Sequence, residues 1–186
     1  MEPFLPSALA FLGPRAAQAL IGARGPLPGR PAALAPLASV YSPSIVSNLE
    51  LLRRGMVGEG PRAGWRETIG AHVAEVEDGR VVIELEVHAG HRQEGGVVQG
   101  GIITQIADAA MGMSLLTRQP DDQANVTIEL KINFLRPVVE GRLRAVGRVV
   151  EMRRALLFSE ADVLDEEGRL VAKASSTCLA VPRPWR

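Results

Sequence analysis

The sequence of this 186-residue chain lacks several features that would place it in a special class of protein. It has a single cysteine, Cys178, which excludes a disulfide framework and a metal site built on cysteines. Its 21 lysines and arginines balance 21 aspartates and glutamates, so charge favours neither a nucleic-acid partner nor a membrane surface. No uninterrupted apolar run approaches the ~18 residues of a membrane span. The expected location is the cytoplasm, with which a single cysteine is compatible.

The beginning of the chain is poor in acidic residues and rich in proline. Residues 1–49 contain one acid, Glu2, and no lysine, and eight of the 13 prolines lie among the first 43 residues. Proline at this density interrupts both helices and strands. An acid-poor leader resembles a targeting peptide, but Glu2 stands where a basic segment would be needed, and prolines interrupt the apolar stretch. We therefore expect residues 1–47 to be a flexible extension and residues 48–186 to form the domain.

Further along, apolar and polar residues alternate in the manner of half-buried strands. Arg80–Val87 has apolar residues at every second position, and so does Val126–Phe134, where five apolar side chains would share one face. A weaker strand, 69–76, would form a hairpin with the first of these. Three further strand-like segments follow at 142–152, 156–164 and 170–181. Because short turns join these segments, the pattern indicates an antiparallel meander.

Two segments are predicted to be helical. A short helix, Asn48–Arg54, precedes the first strand, and a longer one runs from about Val98 to Leu116. The longer helix has apolar residues on nearly all sides, which is typical of a helix that is buried in the core. An antiparallel sheet needs one face covered, so the sheet and this helix would cover each other. The predicted fold is therefore α+β, with a curved antiparallel sheet wrapped round one central helix.

The long helix begins at a glycine pair, Gly100 and Gly101, and contains one charged residue, Asp108. Free N–H groups at a helix start can bind an anion or a polarised carbonyl oxygen. Asp108 lies about 12 Å further along the axis, so one carbonyl cannot contact both. Two antiparallel helices related by a two-fold axis would bring them together, which predicts a homodimer or homotetramer with composite sites. Alternatively, Asp108 could be bonded by a neighbour such as Thr104 or face solvent, and the glycines could serve only turns and packing.

Three motifs occur together in this region with a characteristic order and spacing. They are Gln93-x-x-Gly96-x-x-Gln99-Gly100-Gly101, Asp108-Ala-Ala-Met-Gly112 and the segment Val126–Pro137. Together they resemble the PaaI-like branch of the hotdog-fold acyl-CoA thioesterases, over about residues 48–181. The resemblance implies a hotdog fold and hydrolysis of an acyl-CoA thioester to the free acid and coenzyme A. It also implies a homo-oligomer, with coenzyme A as part of the substrate and with neither a retained cofactor nor a metal.

The resemblance also implies roles for individual residues. Asp108 would be the catalytic carboxylate, as general base on water or as nucleophile, and the Gly100 N–H would polarise the thioester carbonyl. Gln93 stands where the family usually has Asn and would help to place the carbonyl or the water. Thr127 falls near a position that assists the water in some relatives. Other expected substrate contacts are Gln99, Gly101, Met111, Gly112 and Arg136, of which Arg136 could neutralise coenzyme A phosphates or simply face solvent.

Two positions depart from the family pattern. Gln99 replaces the usual His, and an amide can hydrogen-bond but cannot transfer a proton near neutral pH. Gly95-Gly96 is expected to give a looser loop than usual. The protein could therefore also be a non-catalytic one that binds or senses acyl-CoA, whereas a hydratase would need the missing His.

His88 and His91 have metal-like spacing but no further ligand beside them, so we expect ordinary loop histidines.

Overall fold

The computed structural model describes residues 47–57, 59 and 64–183. The expected flexible extension, residues 1–47, lies outside this part except for Ser47, so the domain boundary stays a prediction. Three α-helices, six strands and a short 3-10 helix, Ala89–His91, occur in the described residues. The helices are α1 (Asn48–Met56), α2 (Gly64–Ile69) and α3 (Gly100–Leu116), and the strands are β1 (Ala71–Glu77), β2 (Arg80–Glu86), β3 (Gln123–Phe134), β4 (Arg142–Arg153), β5 (Leu156–Leu164) and β6 (Leu170–Pro182).

The six strands form one sheet in the order β1-β2-β4-β5-β6-β3, and every neighbouring pair is antiparallel. Helix α3 lies on one face of this sheet and is buried by it, as the sequence predicted. Its residues Ile106, Met111 and Leu115 are completely inaccessible to solvent. Burying a large apolar side chain of this kind contributes roughly 1.5–3 kcal/mol, so the shared core fixes the helix against the sheet. The predicted α+β architecture is confirmed.

A glycine in β4 determines how closely α3 approaches the sheet. A Cβ atom placed on Gly147 would lie 2.2 Å from the carbonyl oxygen of Ala110, in the middle of α3. No side chain fits in this space, so the helix backbone rests directly on the strand. The close approach holds the segment of α3 that carries Asp108 at a defined height above the sheet.

Strand β3 does not present one apolar face, and that prediction was wrong. A bulge between Thr127 and Glu129 shifts the register against β6. Upstream of the bulge Thr127 faces α3, while Val126 and Ile128 are 52% and 57% exposed on the opposite face. Downstream, Leu130 and the next alternate residue pack on the core. A bulge inserts one extra residue, so the apolar positions before and after it point to opposite faces.

Candidate functional site

The start of α3 is capped by Gln99, a residue expected to contact substrate. Its backbone is extended, at φ −65° and ψ 130°, so the helix begins at Gly100, two residues later than predicted. The Gln99 side-chain oxygen accepts the N–H of Gly101, and its backbone carbonyl accepts the N–H of Ile102 at 2.9 Å. Among the described residues, the N–H of Gly100 has no acceptor. Capping therefore leaves this one donor of the first turn available to a ligand.

The loop before the helix is a closed turn around Gln93, in contrast to the looser loop expected. The Gln93 side-chain oxygen accepts the N–H of Gly95 at 2.6 Å, and its backbone carbonyl accepts the N–H of Gly96 at 2.8 Å. A Cβ on Gly95 would lie 2.9 Å from the Gln93 amide nitrogen, and Gly96 has a positive φ of 83°. The positive φ of Gly96 favours glycine in the turn, and the Gly95 N–H holds the Gln93 side chain in place.

Gly100 and Gln93 line a cavity of about 380 Å³. Apolar side chains predominate in its lining, which consists of Gln93, Val97, Val98, Gly100, Ile103, Phe134, Leu135, Arg136, Pro137 and Val138. The Phe134 ring covers Gly100 so closely that a Cβ there would lie 3.0 Å from the ring. The cavity therefore combines one polarising donor with an apolar wall, which suits a carbonyl group attached to an apolar substituent.

Arg136 lies at this cavity, on the segment that follows β3. It is exposed, and its guanidinium donates to the carbonyl oxygen of Leu170 at 2.5 Å. This bond ties one end of the guanidinium to the protein, while an arginine has five N–H donors in all. The remaining donors are sufficient to contact an anion at the cavity mouth.

Asp108, at the middle of α3, forms the second part of the site. It is half-buried, and one of its carboxylate oxygens, Oδ1, accepts a hydrogen bond of 2.9 Å from the hydroxyl of Thr127 on β3. No other hydrogen bond to the Asp108 side chain occurs in the described part of the chain. Thr104, the neighbour considered as an alternative partner, donates instead to the carbonyl of Gly100. One oxygen is thus fixed and the other, Oδ2, can accept a proton.

The Thr127 hydroxyl also lies 3.7 Å from the sulfur of Cys178, which is completely buried. A hydroxyl has one proton, and an ionised carboxylate can only accept, so the proton of Thr127 goes to Asp108. The Cys178 sulfur also lies 3.8 Å from the Ser176 hydroxyl, so the thiol has two hydroxyl neighbours in the core.

Two other predicted substrate contacts lie on the sheet side of α3. Met111 is completely buried in the core and does not line the cavity. The carbonyl oxygen of Gly112 accepts a hydrogen bond of 3.0 Å from the side-chain amide of Asn125. Neither residue contacts the cavity at Gly100, so the structure gives both of them a place in the packing of α3.

The two histidines with metal-like spacing form the 3-10 turn before the Gln93 loop. Nδ1 of His91 accepts the N–H of His88 at 3.2 Å, and Nδ1 of His88 accepts that of Gly90 at 3.0 Å. Burial, together with the nearby His88, lowers the pKa of His91 below its usual value. The carbonyl of His91 accepts the N–H of Gln99, so this turn supports the helix cap. In the described residues no cluster of His, Cys, Asp and Glu suits a metal ion.

A single chain thus contains two half-sites on one helix. The Gly100 N–H, Gln93 and Arg136 lie at the cavity, whereas Asp108 and Thr127 lie about 12 Å along the axis. Sequence reasoning missed Phe134 and Asn125 as parts of these half-sites. Phe134 was assigned only to a strand face, and Asn125 stands just before the predicted start of that strand. A polar residue two positions before Thr127, which places both on one face, is the signal that could have revealed Asn125.

Comparison with known proteins agrees with this fold. Residues 95–172 match the thioesterase superfamily. A provisionally named esterase of Saccharolobus solfataricus is 37% identical over 102 residues, which are 55% of this chain and 72% of the relative. The 1,4-dihydroxy-2-naphthoyl-CoA hydrolase of Listeria monocytogenes is 25% identical over 114 residues, covering 61% of this chain and 93% of the relative.

Among solved structures, a variant of the phenylacetic acid degradation protein PaaI from Thermus thermophilus is 27% identical. It superposes with a TM-score of 0.58 over 63% of this chain and 98% of that one. The fold is the hotdog fold of the thioesterases. The chain belongs to the thioesterase superfamily and, within it, is similar to the PaaI-like thioesterases. No helix in the described part of the chain has the length and apolar character needed to cross a membrane.

Proposed function

We propose that this protein hydrolyses an acyl-CoA thioester to the free acid and coenzyme A. The observation that carries the proposal is the pairing of a free helix-end donor, the Gly100 N–H, with a carboxylate, Asp108, fixed through one oxygen by Thr127. A preorganised donor stabilises the oxyanion of a tetrahedral intermediate, and a positioned carboxylate accepts the proton of the attacking water. Membership of the thioesterase superfamily supports the same reaction.

Gly100, Gln93 and Asp108 act at different steps of the reaction. The thioester carbonyl oxygen accepts the Gly100 N–H, and the Gln93 amide helps to orient the carbonyl or the water. Asp108 Oδ2 takes a proton as the water oxygen bonds to the carbonyl carbon. The C–S bond then breaks, and the proton held by Asp108 is passed to the sulfur of the departing thiolate. No step requires a retained cofactor or a proton transfer by Gln99, whose oxygen caps the helix.

The distance between the half-sites supports a composite site in a homodimer. Within the described residues β3 pairs only with β6, so its other edge offers free backbone groups over 12 residues. Suppose two β3 strands pair antiparallel across a two-fold axis that lies between Leu130 and Lys131. Residue 127 of one chain then stands opposite residue 134 of the other. Asp108 and Thr127 of one chain would thereby approach the Phe134–Gly100 cavity of its partner, and one acyl group could contact both.

The chemistry of the cavity supports a particular orientation of the substrate. Its apolar wall suits an apolar acyl group, and Arg136 is the described cation placed to meet a coenzyme A phosphate at the mouth. The name of the Listeria monocytogenes relative likewise specifies a CoA thioester of an aromatic acid. A cytoplasmic protein would meet such thioesters, which is consistent with the location expected from the sequence.

Thiol release from short-chain, long-chain and aryl acyl-CoAs tests the proposal. Asp108→Asn keeps the shape of the side chain but removes the base, and turnover should fall by roughly 10²–10⁴-fold. Asp122→Asn, an exposed substitution of the same kind, is the matched control and should retain full activity. Turnover that survives Asp108→Asn would contradict the mechanism. Tight binding of acyl-CoA without thiol release by the wild type would favour the alternative function, acyl-CoA sensing.

A further inference from the structure

A pair of side-chain amides connects the end of α3 to the beginning of β3. Gln119, 6% exposed, lies in the connection between the two elements, and Asn125 is the third residue of β3. The Asn125 amide nitrogen donates to the Gln119 side-chain oxygen at 2.7 Å and to the Gly112 carbonyl at 3.0 Å. The Gln119 amide nitrogen donates in turn to the carbonyl of Ala124 at 3.1 Å. Both N–H groups of Asn125 are therefore used.

These bonds lie directly beside the contact between Thr127 and Asp108. Asn125 is two residues before Thr127, so the two side chains share one face of the strand. Gly112 is one helical turn after Asp108, so their two acceptors share one side of α3. The strand is therefore fixed to the helix by two neighbouring bonds, Asn125 to Gly112 and Thr127 to Asp108.

The bulge limits how far the rest of β3 can determine the position of Thr127. Pairing with β6 shifts register immediately after Thr127, so the downstream half of β3 does not determine where Thr127 lies relative to the helix. Residues 124–127 pair with β6, the Asn125 side chain bonds this half of the strand to α3, and Gln119 holds Asn125 and Ala124 in place. The contact is close, because a Cβ on Gly112 would lie 3.2 Å from the Asn125 side-chain oxygen.

We infer that Asn125 and Gln119 are positioning residues, which set the Thr127 hydroxyl on Asp108 Oδ1 and so leave Oδ2 free for the attacking water. The inference rests on the proposed function, since it concerns the same carboxylate. Neither amide contacts the cavity at Gly100. Their effect therefore falls on the chemical step and not on substrate affinity.

Kinetics of four single variants, one of them Thr127→Val, and one double variant test this inference. Asn125→Ala should lower kcat by on the order of 10-fold and leave KM within about twofold, because misplacement of a catalytic group reduces the rate of the chemical step. Asn125→Asp should lower kcat at least as much. This substitution keeps the shape of the side chain but places an acceptor, in place of the donor, opposite the Gly112 carbonyl. Ser175→Ala, which truncates an exposed polar side chain on the neighbouring strand β6, is the control and should match the wild type.

The double variant distinguishes positioning from a loss of stability. If Asn125 acts through Thr127, then Asn125→Ala should cause little further loss of kcat once Thr127→Val has removed the hydroxyl. An equal loss in both backgrounds, or a rise in KM alone, would overturn the inference. A wild-type kcat in Asn125→Ala, together with loss of thiol release in Asp108→Asn, would also overturn the inference. That result would leave the proposed function intact. No thiol release by the wild type would instead overturn the proposed function, and this inference with it.

Discussion

The hydroxyl of Thr127 donates to Asp108 Oδ1 over 2.9 Å, so a strand residue determines the orientation of the carboxylate on the central helix. Thr127→Val keeps the β-branched shape and removes this donor. We expect kcat to fall by roughly 10-fold or more with little change in stability, because Val is favoured in strands. Thr127→Ser retains the hydroxyl and should keep most of the activity. Steady-state kinetics of the two variants measure the contribution of the Thr127 hydroxyl to kcat. Equal kcat in both would contradict a role for the hydroxyl.

The Gly100 N–H can be removed without removing the helix. Proline is tolerated at the first position of a helix, and the Gln99 backbone, at φ −65° and ψ 130°, already suits a residue before proline. Gly100→Pro should therefore lower kcat on the order of 100-fold through loss of the donor.

Gly100→Ala is the matched control for this substitution. It adds the same Cβ against the Phe134 ring but keeps the N–H. We expect Ala to remain well above Pro in kcat, and circular dichroism should give equal helix content for both. Equal kcat in the two variants would mean that the ring contact, and not the donor, limits the reaction.

Mixing two inactive variants tests the composite site. If the Gly100 N–H of one chain works with Asp108 of the other, a heterodimer of Asp108→Asn and Gly100→Pro chains contains one intact site. An equal mixture, after subunit exchange, should recover about a quarter of wild-type turnover. Each variant alone should stay inactive at the same total concentration. Failure to recover activity in heterodimers verified by mass spectrometry would locate both half-sites in the same chain.

The fold could be predicted from the sequence because its main signals are periodic. Alternation in β2 and the all-round apolar surface of α3 indicated a sheet and a buried helix. Strand β3 also alternates, but the bulge after Thr127 reverses its faces, and nothing in a period-two pattern marks the extra residue. The side on which Val126 lies depends on pairing with β6, which is a contact between residues distant in sequence.

The site could be predicted in part for a similar reason. Gly100 and Asp108 were identifiable because helix geometry gives one a free N–H and makes the other an isolated charge. The cap formed by Gln99 depends on one rotamer of an ordinary amide, and the support from Asn125 depends on how a loop packs. Such contacts follow from tertiary structure, so the spacing of residues along the chain does not reveal them.

His91 should make the stability of the protein depend on pH. Burial lowers the pKa of His91, so its folded-state pKa lies below the unfolded value of roughly 6.5. As the pH falls, the unfolded chain binds the proton first, and the free energy of unfolding decreases from pH ~6.5 towards the folded-state pKa. Protonation of Nδ1 would also break its bond with the N–H of His88.

Denaturant unfolding of the wild type and His91→Asn between pH 5 and 8 measures this effect. Asn does not titrate, and its side-chain oxygen can still accept the N–H of His88. The decrease in stability on acidification should be smaller in the variant, while above pH 7 the wild type should keep its full stability. A pH dependence identical to that of the wild type would show that another group is responsible.

Gly147→Ala should displace α3 from its position on the sheet. The added methyl group would lie 2.2 Å from the Ala110 carbonyl, so α3 must move away from β4. Overpacking of this kind lowers the free energy of unfolding by roughly 1–3 kcal/mol. Gly64→Ala is the matched control, because in the described part of the chain no atom beyond its sequence neighbours lies within 4 Å of a Cβ at that position in α2. Thermal unfolding and thiol release should both fall in Gly147→Ala and stay near wild type in Gly64→Ala, since only the first displaces the helix that carries Asp108.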